Sequence, residues 1–192
     1  MIEKAKELPF KVESYLEIDL KDDAWPETEV CEVRHTARAV VLDGERLIFV
    51  HIDRNDTFGN LQYIETSGGG VEEGESVFQA LKRELGEELG IEFELLAYLG
   101  QVRDYYNLIK RKNINDYFLV KVTKKKDRHL TEDEISKWHL EPIMLTFDEA
   151  VARYEKMKDT KLGRLVSQRE LPVIFKAKQT LENNAEKGTT NE

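Results

Sequence analysis

The sequence is poor in cysteine and has no long apolar run. One cysteine, Cys31, stands among 192 residues, so an internal disulfide is excluded and a reducing cytoplasm is indicated. No apolar run approaches the roughly 20 residues that a membrane helix needs. The amino terminus is studded with acidic residues and does not resemble a signal peptide. We therefore expect a cytoplasmic protein that does not bind a membrane.

Basic residues are outnumbered in this chain. It has 29 lysines and arginines against 38 acidic residues, a net charge of −9. This balance argues against binding a long nucleic acid, because such binding relies on basic groups that neutralise phosphates. A small polyanionic substrate is compatible with it if a metal ion reverses the local charge. Two basic runs, residues 110–112 and 124–126, are either solvated strand ends or contacts for substrate phosphates.

Proline is absent between Pro26 and Pro142, and this part of the chain divides into strands and capped helices. The Asp43-Gly44 pair within residues 36–53 predicts a β-hairpin. Further strands are predicted over residues 61–65, 94–102, 117–122 and, more weakly, 138–145. Capping boxes predict three helix starts, at Ser76 with Gln79, Thr131 with Glu134, and Thr146 with Glu149. The pattern predicts an α/β fold with a mixed sheet between helices.

The chain length and its 40% hydrophobic content suit one domain with extensions. The domain is placed at residues 33–160, after an extension, residues 1–32, that supplies either an extra strand or an arm for a partner. A helix is predicted over residues 161–181, in which Pro172 is tolerated only near the start of the helix. Its apolar stripe packs on its own domain or forms a homodimer contact, and consists of Leu171, Ile174, Phe175 and Leu181. The polar tail, residues 182–192, is expected to be disordered.

The most informative segment carries three acids, Glu84, Glu87 and Glu88. Three or four residues apart on a helix, they share one face and repel one another unless a cation intervenes. A projection at about 100° per residue places them beside an apolar stripe. That stripe consists of Val77, Phe78, Leu81, Leu85 and Leu89. Carboxylates at the edge of a buried face favour a metal ion; the alternative is a solvated acidic face.

Glycines delimit this helix. Four precede it and allow the backbone to approach a ligand closely, namely Gly68, Gly69, Gly70 and Gly74. Ser76 caps its start, and Gly90 follows Leu89, where a left-handed residue commonly ends a helix. The sequence therefore predicts a glycine-rich loop leading into an acidic helix.

Nine residues at fixed spacing carry this pattern: Gly69, Glu75, Arg83, Glu84, Leu85, Glu87, Glu88, Gly90 and Ile91. They resemble the signature of the Nudix hydrolases, which reads Gly, five residues, Glu, seven residues and then Arg-Glu-U-x-Glu-Glu-x-Gly-U, with U a bulky aliphatic residue. The resemblance covers residues 69–91 without a departure. It implies the Nudix fold, a mixed β-sheet sandwiched between α-helices in an α/β/α sandwich.

The resemblance also implies a chemistry. Nudix hydrolases use Mg²⁺ or Mn²⁺ to cleave a nucleoside diphosphate linked to another moiety. The metal-binding carboxylates implied by position are Glu84, Glu87 and Glu88, with the Gly69 carbonyl as a further ligand. Arg83 and Glu75 match the supporting pair that orients the acids. Oxygen ligands of this kind suit a hard cation such as magnesium.

Two carboxylates are candidates for the general base that accepts the proton of the attacking water. Glu84 is one, by its position in the signature. Glu134 is the other, because relatives often carry a loop acid in this region that reaches the site. Glu134 also completes a capping box with Thr131, which is a purely structural explanation. The sequence leaves these alternatives open.

The substrate is expected to be a small nucleotide-type molecule. Tyr63, Tyr105 and Tyr106 are candidates to stack on a nucleobase, or they are simply core aromatics. The lack of a proline downstream of the signature disfavours ADP-ribose, and the tyrosines match dinucleoside-polyphosphate hydrolases only partly. Two alternative functions stay open: a non-catalytic nucleotide sensor, and an isoprenoid-diphosphate isomerase that would need Cys31.

Overall fold

The computed structural model describes residues 8–189, with side chains through residue 186. Its strands are β1 (Leu16–Asp19), β2 (Glu32–Asp43), β3 (Arg46–Asp56), β4 (Gly59–Glu65), β5 (Ser67–Gly70), β6 (Ile91–Tyr106), β7 (Arg111–Lys125) and β8 (Glu141–Leu145). Its helices are α1 (Val77–Leu89), α2 (Glu132–Ser136), α3 (Phe147–Met157) and α4 (Lys161–Thr189). Residues 1–7 and 190–192, parts of the predicted extension and tail, lie outside the described residues.

The strands form one mixed sheet in the order β1-β6-β7-β2-β3-β4, with β5 paired to β2 and β8 paired to β3. Strands β1 and β6 run parallel, as do β2 and β7, and the other pairs are antiparallel. Helix α1 packs against β2, β5 and β6, and α4 packs against β2, β4 and β6. The predicted α/β architecture and the hairpin at Asp43-Gly44 are confirmed.

The amino-terminal extension supplies an edge strand. Residues Leu16 to Asp19 pair in parallel with Gly100 to Arg103 of β6. Gly100 has φ 128°, and a Cβ there would overlap the Leu16 backbone, so only glycine lets the two strands meet. Of the two alternatives for the extension, the extra strand is the one that the fold contains.

Helix α1 begins and ends as its capping residues predict, but its buried face differs from the prediction. Phe78 was expected in the buried stripe and is instead 46% exposed, in edge contact with Phe93. The buried residues are Ala80, Leu81, Glu84, Leu85, Glu88 and Leu89. Two acids therefore lie within the buried face, because the glycines of β5 present no side chains that would displace them.

Helix α4 is longer than predicted. It starts at Lys161 as expected but continues to Thr189, so the expected disorder of residues 182–192 is wrong for residues 182–189. Pro172 lies in the interior of α4 and not near its start. A proline there removes one helical hydrogen bond, and the neighbouring Leu171, Val173 and Ile174 are all buried, which offsets that cost.

The core lies between the sheet and the helices. Its largest fully buried side chains include Tyr117, Tyr154, Phe49, Leu47 and Ile64. Of the α4 stripe, Leu171 and Ile174 are buried in this core whereas Phe175 is 53% exposed, so the homodimer contact stays a prediction. Among the helices of residues 8–189, none has the length and apolar content needed to cross a membrane.

Candidate active site

The chain places three buried carboxylates at one point. One oxygen each of Glu84, Glu88 and Glu134 lies within 4.8 Å of the others. Glu84 and Glu88 are one helical turn apart on the inner face of α1, and Glu134 reaches them from α2. Three anions this close in a buried place repel one another strongly, and a divalent cation with oxygen ligands is the partner that would suit them.

Burial shifts the proton affinity of these acids. It raises the pKa of Glu88 to about 8, against the hydrogen bonds from the Ser67 hydroxyl and the Gly68 amide that favour the charged form. Burial also raises the pKa of Glu84, with the neighbouring charges of Glu87 and Glu134 adding to the rise. The donor set thus fits a metal ion, because a bound cation would stabilise the charged form of these carboxylates, which burial disfavours.

A pH dependence of stability follows from Glu88. Its pKa in the folded, metal-free chain is about 8, above the ordinary glutamate pKa of 4.5, so the protonated carboxyl stabilises the fold fully below about pH 4.5. That contribution falls progressively from about pH 4.5 and is lost once the pH passes 8, because between these values the unfolded chain has released a proton that the folded chain retains. In urea unfolding with excess chelator, we expect the free energy of unfolding of Glu88→Gln to rise, relative to that of the wild type, by roughly 2–4 kcal/mol between pH 5 and pH 9.

A matched Glu73→Gln variant changes an exposed residue of the glycine loop, and its free energy of unfolding should follow that of the wild type. A constant difference between Glu88→Gln and the wild type would contradict the expectation.

Arg83 organises the outer side of the cluster. Its Nη1 donates to Glu84 Oε1 at 2.8 Å and to Glu87 Oε2 at 3.2 Å, while Nε and Nη2 hold Glu75 at 3.1 and 3.0 Å. Nη2 also donates to the Gly70 carbonyl at 2.9 Å. The side chain of Glu87 is 37% exposed and lies outside the buried trio. One guanidinium thereby links the loop, the helix and two of the acids.

Gly69 lies directly against the cluster. A Cβ at this position would overlap the carboxylate of Glu84. The signature glycine is therefore required by the approach of Glu84 to β5, which the sequence alone did not indicate.

Glu134 caps helix α2 and also lies beside Glu84 and Glu88. Its Oε2 accepts from the Thr131 amide at 2.6 Å and from the Thr131 hydroxyl at 2.8 Å, which completes the predicted capping box. Within residues 8–189, no hydrogen bond reaches its Oε1. The same carboxylate belongs to the buried trio. The predicted cap is therefore present and leaves Glu134 beside the other two carboxylates, while its catalytic or metal-binding role stays a prediction.

The three candidate tyrosines are separated by the fold. Tyr63 and Tyr106 are buried and line a cavity of about 130 Å³ beside the carboxylates, whereas Tyr105 lines a different surface cavity on the other side of β6. The Tyr63 hydroxyl accepts from Arg54 at 3.0 Å, and the Tyr106 hydroxyl accepts from Arg169 at 3.1 Å. Both phenols therefore hold guanidinium groups in place.

The sequence reading missed the arginines of this cavity. Five line it: Arg34, Arg38, Arg54, Arg111 and Arg169. One signal was available, since Arg34, Thr36 and Arg38 alternate along β2, as do Arg111, Asn113 and Asn115 along β7. Alternate residues of a strand share a face, and the two strands pair in parallel with Arg34 beside Asn113. Of the basic run at residues 110–112, Arg111 faces the cavity, while Lys112 lies over the ring of Tyr105.

The comparisons with known proteins point to one family. A family model described as NUDIX domain matches residues 33–165. A NUDIX hydrolase from Nitrosomonas europaea is similar in structure at 22% sequence identity and a TM-score of 0.54, covering 64% of this chain and 78% of that chain. A MutT NUDIX hydrolase from Burkholderia pseudomallei is similar at 20% identity and a TM-score of 0.50, covering 61% of this chain and 85% of that chain. No curated protein matches the chain significantly.

The family match spans more than half of the chain and contains the whole signature. The structural similarities show the same fold at low identity. The chain therefore belongs to the Nudix family, and this membership supports a hydrolase that acts on pyrophosphate bonds.

Proposed function

We propose that this chain hydrolyses the diphosphate bond of a nucleoside diphosphate linked to another moiety, with the help of Mg²⁺ or Mn²⁺. The observation that carries the proposal is the buried cluster of Glu84, Glu88 and Glu134. Glu84 and Glu88 would hold the cation together with Glu87 and the Gly69 carbonyl. When bound, divalent ions would neutralise the diphosphate and polarise the phosphorus–oxygen bond that breaks.

The protein groups around the cluster orient these ligands. The Ser67 hydroxyl and the Gly68 amide fix Glu88 from β5, and Arg83 fixes Glu84 and Glu87 from the solvent side. Because both sets of partners are themselves part of regular structure, the carboxylates need little rearrangement before reaction. Preorganisation of this kind is a major source of rate enhancement in charge-stabilising sites.

Glu134 is proposed as the proton acceptor. Water attacks one phosphorus through its oxygen, the bridging phosphorus–oxygen bond breaks, and the proton of the water passes to Glu134 Oε1. The leaving phosphate departs with the bridging oxygen. This assignment is supported by the position of Oε1, which the capping interactions of Glu134 leave unused. Glu84 is the alternative acceptor, but Arg83 already holds its Oε1.

Two other functions have less support. A non-catalytic sensor would not need four acids at the site, and this chain retains Glu84, Glu87, Glu88 and Glu134. An isoprenoid-diphosphate isomerase would need a reactive thiol, whereas Cys31 is exposed and its thiol contacts the Glu29 carbonyl.

A substrate screen tests the proposal. Purified protein with Mg²⁺ or Mn²⁺ is offered dinucleotides, nucleotide sugars and nucleoside triphosphates, and the released phosphate or nucleotide is measured. We expect cleavage of at least one diphosphate compound and its loss in excess chelator, because the carboxylates bind substrate charge only through the cation. Full activity in chelator would overturn the metal dependence. Binding of these compounds without cleavage of any of them would favour the sensor.

A further inference from the structure

We propose that the substrate carries a further phosphate, on one of the two groups that the scissile diphosphate joins, and that the arginine-lined cavity binds it. The proposal rests on the function proposed above and specifies its substrate class: a diphosphate in which one of the joined groups bears a phosphate monoester. Its basis is the set of arginines that line this cavity, together with the contact of one of them, Arg34, with the glycine loop beside the carboxylate cluster.

Arginines dominate the lining of the cavity. Five guanidinium groups line it and Glu65 is its single acidic lining residue, although Arg54 and Arg111 also pair with acids outside the lining. Glu65 is shared by Arg38 and Arg169, at 2.9 and 2.5 Å. These two arginines form a neutralised floor. The remaining three, Arg34, Arg54 and Arg111, form its wall.

Of the wall arginines, Arg34 and Arg111 retain unused donors, whereas Arg54 pairs with Asp56 and donates to the Tyr63 hydroxyl. Arg111 contacts Glu32 at 3.0 Å through Nη2, but its buried Nε has no hydrogen-bond partner in the part of the chain that the structure describes. The buried Nε of Arg38 in the floor is equally unpartnered there. Arg34 is an exposed residue and forms no ion pair or hydrogen bond within residues 8–186. Partial burial of its guanidinium, and after it the repulsion from Arg38 and Arg111, lower the pKa of Arg34, while Glu84 and Glu65 raise it. An anion between these groups would satisfy the donors and relieve the repulsion.

The cavity borders the proposed site of cleavage through Arg34. The guanidinium of Arg34 lies on Gly70, since a Cβ built there would be 3.2 Å from Nε and from Nη2. The Gly70 carbonyl in turn accepts from Arg83. A diphosphate at the carboxylates would therefore meet Arg34 first.

Arg111 lies beyond the reach of that diphosphate. In the β2–β7 register it pairs with Glu32, while the glycine strand β5 pairs only as far as Thr36. Arg34 lies between these points, so Arg111 is about two residues, or roughly 7 Å, further from the glycine loop than Arg34 is. A group bound at Arg111 belongs to another part of the substrate, and the chemistry of a guanidinium fork selects a phosphate.

Matched pairs of diphosphates test the proposal, since the two members differ only by one phosphate monoester: NADPH with NADH, and coenzyme A with dephospho-coenzyme A. We expect a higher kcat/KM for the phosphorylated member of at least one pair by about tenfold or more, as befits a charge-assisted contact. Arg111→Gln should remove that preference by lowering kcat/KM for the phosphorylated member more than for the other member. Arg111→Lys, which keeps the charge, should restore part of it.

Lys112→Gln is the matched control, because it makes the same charge change on the adjacent residue, which lies over Tyr105 and away from the cavity. Equal losses on both members of a pair, or no preference in the wild type, would overturn the proposal while leaving the diphosphatase activity established. Binding of inorganic phosphate by titration calorimetry in excess chelator gives an independent measure. Arg111→Gln should weaken it at least about tenfold. If no diphosphate is cleaved at all, the proposed function fails, and unchanged phosphate binding in Arg111→Gln would refute the cavity as an anion site.

Discussion

Replacing Glu88 with glutamine is expected to lower turnover of any diphosphate substrate at least about a hundredfold while the protein stays folded. The amide keeps the shape of the carboxyl and can accept the same hydrogen bonds from Ser67 and Gly68. It removes the negative charge that would bind the cation. Glu87→Gln should lose activity to a similar degree, although its half-exposed side chain makes that variant structurally milder. Steady-state turnover at saturating Mg²⁺, with circular dichroism to check folding, measures both effects.

The control for this series is Glu73→Gln, which removes one charge from the same glycine loop at an exposed position. It should retain nearly wild-type turnover. Full activity in both Glu87→Gln and Glu88→Gln would rule out the metal mechanism. A loss of activity accompanied by unfolding would be seen in the dichroism spectrum, and would then be attributed to structure.

Glu134→Gln separates the two roles of that residue. Glutamine also completes a capping box, so α2 should keep its start at Thr131. The charge is lost, so a proton acceptor would be lost with it, and we expect turnover to fall by about a hundredfold or more. Wild-type turnover in this variant would leave Glu134 as a helix cap only and return the role of base to Glu84.

The parts of the site that the sequence predicted are those fixed by local chemistry. The capping box at Ser76 and the left-handed Gly90 depend on neighbours along the chain, and α1 begins and ends where they predict. The burial of α1 was predicted less well, because Phe78 was judged by its apolarity alone. Which face is buried depends on the partner, and here the partner is a strand of glycines that accepts Glu84 and Glu88 instead.

The arginine cavity could not be predicted in the same way. Its arginines come from β2, β3, β7 and α4. Their proximity depends on strand register and on the docking of α4. The alternation of Arg34, Thr36 and Arg38 indicates one polar face of a strand, but not what lies opposite. Arg169 shows this most clearly, because it lies 65 residues beyond Asp104 and is held by it at 3.4 Å.

Arg169 is also where the largest loss of stability is expected. Its side chain is 3% exposed and contacts three buried carboxylates: Glu65 at 2.5 Å, Glu170 at 2.9 Å and Asp104. Arg169→Met keeps much of the apolar stem but leaves these acids without their shared cation. We expect the free energy of unfolding to fall by about 3–5 kcal/mol, the cost of uncompensated buried charge. Urea or thermal unfolding followed by circular dichroism measures it.

Arg153→Met is the matched control, since it makes the same substitution at an exposed position of α3 and should stay within about 0.5 kcal/mol of the wild type. Arg169→Lys should recover only part of the loss, because one ammonium cannot reproduce the fork that reaches Glu65, Glu170 and the Tyr106 hydroxyl together. A loss for Arg169→Met no larger than that of the control would mean that the acids find other partners. The same network joins α4 to Arg38 through Glu65. Helix α4 therefore packs on the core and also holds the floor of the arginine cavity in place.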